Sequence, residues 1–237
     1  MTTTTFEWLA SHGPQLSVGV LSADIMHLAE DIALLEKSGV DLLHFDVMDG
    51  RFAPQLTVGD AFVKSIKTSL LKDVHLMVCN PLDTIGAYVA AGADIVTVHA
   101  ESGKHLHRCL QMLGEMKNVN DPQRGIVRGV ALNPSTPISA VEPLLDEVEF
   151  IVLLAVNPGF SGQKFINSTV SRFQQVKAMI QTHAKKILMG IDGGITRATI
   201  GQCAQFKADI VVSGSAIFEK RQLLENINVM KELLHGK

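Results

Sequence analysis

The strongest constraint in this chain is an alternation. Short β-branched or apolar runs trade places with amphipathic stretches along almost the whole sequence. The strand-like runs lie near 16–21, 41–47, 73–78, 94–99, 127–132, 148–156, 186–191 and 209–213. Helical patterns lie between and after them, near 24–38, 59–70, 81–91, 104–117, 137–145, 167–183, 196–205 and 216–234. In the 24–38 stretch Asp24 is placed as an N-cap, Leu28, Ile32 and Leu35 follow at helical spacing, and Gly39 ends the run. Strands that alternate with helices predict parallel pairing. Eight such units in 237 residues fit a (β/α)8 TIM barrel, whose usual length is about 250 residues.

No Pro/Gly/Ser-rich linker or shift of composition marks a second domain. Residues 1–15 are read as an N-terminal extension and 16–237 as one barrel. Phe6, Trp8 and Leu9 give the extension an apolar face for the barrel's bottom or for a partner. Asn118 to Arg128 is a polar excursion, expected to be a surface loop.

Bulk properties exclude several classes. The formal net charge is −3 and there is no long basic run, so binding to nucleic acid or a membrane surface has no electrostatic support. Cys79, Cys109 and Cys203 are scattered and show no C-x-x-C pair, which suits buried thiols in a reducing compartment. No run approaches the ~20 apolar residues of a membrane span, and no signal-peptide pattern opens the chain. A cytoplasmic enzyme or binding protein is expected.

Within a barrel, chemistry gathers at the C-terminal ends of the strands. His44, Asp46, His75 and Asp192 all stand there. The pleat turns His44, Asp46 and Met48 to one face, pairs His75 with Met77, and sets Asp192 opposite Ile191. Two imidazoles and two carboxylates converging at one mouth make a site for one divalent ion. Zinc is the first expectation, and iron, manganese or cobalt suits the donors too. A single histidine at a strand end is more often a hydrogen-bonded core residue. Four such residues in register are hard to explain by packing alone. His99 and Glu101, at the end of the fourth strand, suit the pocket rim or a structural role equally. His12, His27, His105, His107, His183 and His235 read as solvated, and Asp49 as fixing a turn with Gly50.

Three Gly-rich turns follow the sixth, seventh and eighth strands: Asn157–Gln163, which holds Gly159, Ser161 and Gly162; Asp192-Gly193-Gly194; and Ser213-Gly214-Ser215. Glycine lets backbone N–H groups approach phosphate oxygens, and Ser215 is placed to open a helix. Together they predict a phosphate site. No G-x-x-x-x-G-K-[ST] occurs, so a nucleotide P-loop is not implied.

Leu43–Gly50, Val74–Val78, Val156–Phe160, Asp192–Gly194 and Gly214–Phe218 together resemble the ribulose-phosphate 3-epimerase family, in order, from about Leu16 to Phe218. The resemblance implies a barrel of the ribulose-phosphate-binding type. It also implies one divalent metal, zinc or ferrous iron, on His44, Asp46, His75 and Asp192, and a homo-oligomer. Asp46 and Asp192 would flank the substrate's C3, Met48 and Met77 would cap the intermediate, and Gly162, Gly193, Gly194, Gly214 and Ser215 would bind phosphate. The chain departs from the family pattern at Gly19, Arg51, Gln55, Leu154 and Ser161.

The expected reaction is C3 epimerisation of a ketose phosphate, D-ribulose 5-phosphate to D-xylulose 5-phosphate. The C2 carbonyl acidifies the C3 proton. One aspartate removes it to leave a cis-enediolate, and the other returns a proton to the opposite face. The alternatives are D-allulose 6-phosphate as substrate, with Gly19 and Leu154 making room, or a barrel that binds a sugar phosphate without turnover. A metal-free decarboxylase lacks its Asp-x-Lys-x-x-Asp triplet here.

Overall fold

A computed structural model describes residues 3–236. Eight parallel strands close in sequence order into one barrel: β1 (Gln15–Gly19), β2 (Leu42–Met48), β3 (Leu71–Met77), β4 (Ile95–His99), β5 (Val127–Leu132), β6 (Phe150–Leu154), β7 (Leu188–Asp192) and β8 (Ile210–Ser213), with β8 pairing back to β1. The helices are α1 (Thr5–Ser11), α2 (Leu28–Lys37), α3 (Asp60–Ser65), α4 (Ile85–Ala90), α5 (Leu106–Glu115), α6 (Ser168–Gln181), α7 (Ile200–Phe206), α8 (Ser215–Phe218) and α9 (Leu223–Leu234). All eight expected strands are present, with ends shifted by a few residues. No helix among the described residues is long and apolar enough to cross a membrane.

The period-two pleat sorts the apolar residues into two cores. One face of each strand packs outward against the helices, as Leu43, Phe45 and Val47 do on β2. The other face fills the barrel. Leu42, Ile95, Val127, Phe150, Leu188 and Ile210 form its lower layers. Phe150 needs a neighbour without a side chain, because a Cβ on Gly190 would lie 2.4 Å from its ring.

The barrel floor is closed by α1. Thr4 and Glu7 cap it reciprocally: the Glu7 N–H donates to the Thr4 hydroxyl, and the Thr4 N–H donates to the Glu7 carboxylate. This presents Leu9, 2 % exposed, to the interior layer, with Phe6 and Trp8 beside it. The apolar face of the N-terminal segment therefore lies on the barrel's bottom. The Thr5 N–H donates to the Arg124 carbonyl. The 118–128 excursion is thus tied down, and Asn118 is fully buried.

Several helices differ from the sequence reading, each for a local reason. The 59–70 pattern is helical only over α3. Beyond it, the Glu36 carboxylate accepts from the Thr68 hydroxyl and from the backbone and hydroxyl of Ser69, which draws that segment off the helix axis. The 137–145 segment is a 3-10 helix, Ile138–Leu144, and Pro143 removes a donor that an α-helix would use. The 24–38 pattern begins with a 3-10 turn, Ile25–His27, capped by Asp24, before α2. The 216–234 pattern splits into α8 and α9. At the break Lys220 and Arg221 adopt φ of 54° and 55°, and the Asn226 amide donates to the carbonyls of Ile217 and Glu219. The break leaves α8 at the mouth and lays α9 on the outer wall.

Replacing Leu9 with Ala should lower unfolding stability by about 2–4 kcal/mol in urea titrations, since it empties a buried site against a nearly rigid floor. A loss under ~0.5 kcal/mol would contradict the role given to α1.

Candidate active site

The mouth of the barrel holds a cavity of about 420 Å³ at the C-terminal ends of the strands, within the usual range of ligand sites. Asp46 and Asp192 line it, and both Met48 and Met77 reach it. His44 and His75 lie beneath, 3 % and 1 % exposed. The β2–β3 register pairs Asp46 with His75, and parity puts His44, Asp46, His75 and Asp192 inside the barrel together.

Their donor atoms form one cluster, all within 4.8 Å of one another. His44 Nε2 lies 3.2 Å from Asp46 Oδ1 and 3.8 Å from Asp192 Oδ2. His75 Nδ1 lies 3.2 Å and 3.4 Å from the same two oxygens. A tetrahedral divalent ion with bonds near 2.1 Å has ligand atoms about 3.4 Å apart, close to the four His–Asp separations here, so small side-chain shifts would bring all four donors onto one cation.

Asp73 was missed in the sequence reading and belongs to this site. Its Oδ2 accepts from His44 Nδ1–H at 2.7 Å and from the Ser17 hydroxyl at 3.0 Å. That fixes the His44 tautomer and turns Nε2 inward. The signal was legible, because Asp73 stands two residues before His75 and shares its face. Thr57 was also missed. Its hydroxyl donates to the Asp46 carbonyl and accepts from the Met48 N–H, pinning the end of β2. Asp49 fixes its turn as expected, accepting from the N–H groups of Arg51 and Phe52, and it also holds the Cys79 N–H after β3. Neither His99 nor Glu101 lines the cavity: His99 is fully buried beside His75, and its Nδ1 donates to Glu101. Burial pushes the His99 imidazole down to about 4. Burial opposes ionisation of Glu101, but donors from His99, Thr136 and Asn133 outweigh it and hold the carboxyl at about 2. Among the histidines read as solvated, His183 is half-buried and bonds to Asp146.

The three Gly-rich turns meet at the same cavity. Gly159, Ser161, Gly162, Gly193, Gly194, Gly214 and Ser215 all line it, and Ser215 opens α8. Gly193 and Gly194 have consecutive positive φ, 98° and 67°, and a Cβ on Gly194 would lie 2.8 Å from the Phe165 backbone nitrogen. Only glycine fits there without displacing the chain. Gly19, Gln55 and Leu154, three of the departures from the family pattern, also face this space.

Fold and site together define a (β/α)8 barrel whose mouth combines a two-His, two-Asp cluster with a glycine-lined pocket. Residues 15–218 match the ribulose-phosphate 3-epimerase family model, and the chain belongs to that family. It is 40% identical over 207 residues to a ribulose-phosphate 3-epimerase of Bacillus subtilis, covering 86% of this chain and 92% of the relative. It is 38% identical over 223 residues to that of Escherichia coli K12, covering 92% and 95%. Its fold matches 3-hexulose-6-phosphate synthase from Salmonella typhimurium with a TM-score of 0.64 at 17% identity, over 93% of this chain and 98% of that one. At that identity the likeness speaks for the fold alone.

Among these side chains the charges hold one another. Burial disfavours a charged His44, but the carboxylates of Asp73 and Asp46 outweigh it and raise the imidazole well above its ordinary 6.5. His75 is raised too: burial opposes its charge, and hydrogen bonds to Asp192 and Asp46 overcome this. Burial would raise Asp46, but His44 and then His75 hold it far below the carboxylate range. Raised imidazoles add stability that is complete below pH ~6.5 and is lost as pH climbs through their folded values. A cation needs the same lone pairs, so its binding at pH 7 should release protons, and its affinity should rise with pH from about 6.5 upward. Calorimetry in buffers of different ionisation enthalpy checks this. A binding enthalpy independent of buffer would contradict it.

Proposed function

We propose that this chain interconverts D-ribulose 5-phosphate and D-xylulose 5-phosphate by inverting C3. The observation that carries the reading is the pair of pocket-facing carboxylates, Asp46 from β2 and Asp192 from β7, bound to the same two buried imidazoles. Inversion at one carbon needs a base on one face and an acid on the other. The family membership and the names of the relatives support the substrate.

His44, Asp46, His75 and Asp192 would hold one divalent cation, for which zinc suits two nitrogen and two oxygen donors. When bound, it supplies Lewis-acid stabilisation for the negative charge that develops on the substrate oxygens. Asp46 takes the C3 proton in one direction while Asp192 returns one to the opposite face, and the roles exchange in reverse. Met48 and Met77 keep water from the enediolate. Ser161, Gly162, Gly193, Gly194, Gly214 and Ser215 hold the phosphate, with Gly159 shaping the loop. The barrel with α1 as its floor acts as one catalytic domain.

Asp46→Asn and Asp192→Asn should each lower kcat/KM at least ~1000-fold, about 4 kcal/mol of barrier. Solvent deuterium should enter at C3 in the wild type and be lost from both variants. D-allulose 6-phosphate, assayed alongside, should turn over more slowly. A loss of only ~10-fold in both variants, or no exchange in the wild type, would contradict the two-carboxylate reading.

A further inference from the structure

His44 and His75 are held in different ways. His44 donates directly to a buried carboxylate, Asp73. The Nε2 of His75 instead meets the Nε2 of His99 at 2.8 Å. At that distance the two nitrogens share one proton, so one donates and the other accepts. His75 Nδ1 faces Asp46 and Asp192. For its lone pair to serve a cation there, the ring proton must sit on Nε2. His99 then accepts at Nε2 and carries its own proton on Nδ1, which lies 3.0 Å from Glu101 Oε2.

The next contacts brace this arrangement. Glu101 Oε1 accepts from the Asn133 N–H at 2.8 Å and from the Thr136 hydroxyl. Arg172, on α6, donates to the carbonyls of Thr136 at 2.7 Å and Asn133 at 3.0 Å. His99 is fully buried, and the Phe52 ring packs 4.5 Å from it, so water does not compete for its nitrogens. Both Glu101 oxygens accept, which gives the relay a single direction: His75 donates to His99, and His99 donates to Glu101.

We propose that His99 and Glu101 are positioning residues that lock His75 as an Nδ1 donor to the divalent cation, with Arg172 steadying the loop that anchors Glu101. The opposite tautomer would aim an N–H at the space between Asp46 and Asp192 and block the cation there. This rests on the cation site proposed above. The relay acts through His75 and not on the substrate.

The test is zinc affinity, measured by competition with a chelator on wild type, His99→Leu, His99→Gln and Glu101→Gln. His99→Leu should bind zinc about 10- to 100-fold more weakly, the usual effect of losing such a partner. Glu101→Gln should weaken binding in the same direction, because an amide cannot accept at both of its ends. His99→Gln should recover part of the loss, since its amide both accepts and donates. Imidazole nitrogen chemical shifts in zinc-loaded protein should show His75 protonated at Nε2 in the wild type and tautomerically mixed in Glu101→Gln. A purely structural role would lower the melting temperature of the cation-free variants and leave zinc affinity unmoved. Glu101→Gln, at a partly exposed position, decides the matter if His99→Leu does not fold. Zinc affinities of the soluble variants within about twofold of the wild type would overturn the positioning role and leave the four-residue site standing. Failure of the wild type to bind zinc would overturn both.

Discussion

Two buried imidazoles facing two carboxylates hold the working end of this barrel together. His44 and His75 are nearly inaccessible to water, and burying charge is costly unless each group finds a partner. Here each imidazole lies within 4 Å of both aspartates. Removing one member leaves the others uncompensated, which restricts what the upper layer of the barrel tolerates. The acceptors that hold the imidazoles from behind, Asp73 for His44 and His99 for His75, follow from the same requirement.

The lower barrel supplies rigidity to that layer. Phe150 fills the interior against Gly190, and Leu9 closes the floor from outside the strand sequence. With little room below, the inward residues of β2 and β3 have few alternative positions. The register that places Asp46 beside His75 is therefore a packing result as much as a hydrogen-bonding one. Above it, the turns after β6, β7 and β8 bring glycines to the same cavity that Asp46 and Asp192 line. The two carboxylates and the glycine-rich turns then share one space, as the proposed reaction on a phosphorylated sugar requires.

Much of this was legible in the sequence, because strand parity is a strict rule. The spacing of His44 and Asp46 puts both inside the barrel, and the order of the Gly-rich turns brings all three to one cavity. The same rule points to Asp73, which stands two residues before His75 and shares its inward face. What escaped entirely depends on contacts between distant segments. Glu36 unwinds the end of the 59–70 pattern from 32 and 33 residues away, and Asn226 sets the break between α8 and α9 by bonding to Ile217 and Glu219. The partnership of His99 with His75 is of this kind, since it spans neighbouring strands whose alignment only the closed sheet defines.

The most direct measurement is anomalous diffraction from crystals grown with a transition-metal ion, recorded at that ion's absorption edge. One peak per chain is expected, about 2.0–2.2 Å from His44 Nε2, His75 Nδ1 and one oxygen each of Asp46 and Asp192. A peak elsewhere in the chain, or one that leaves two of those four side chains beyond coordinating distance, would contradict the site as described.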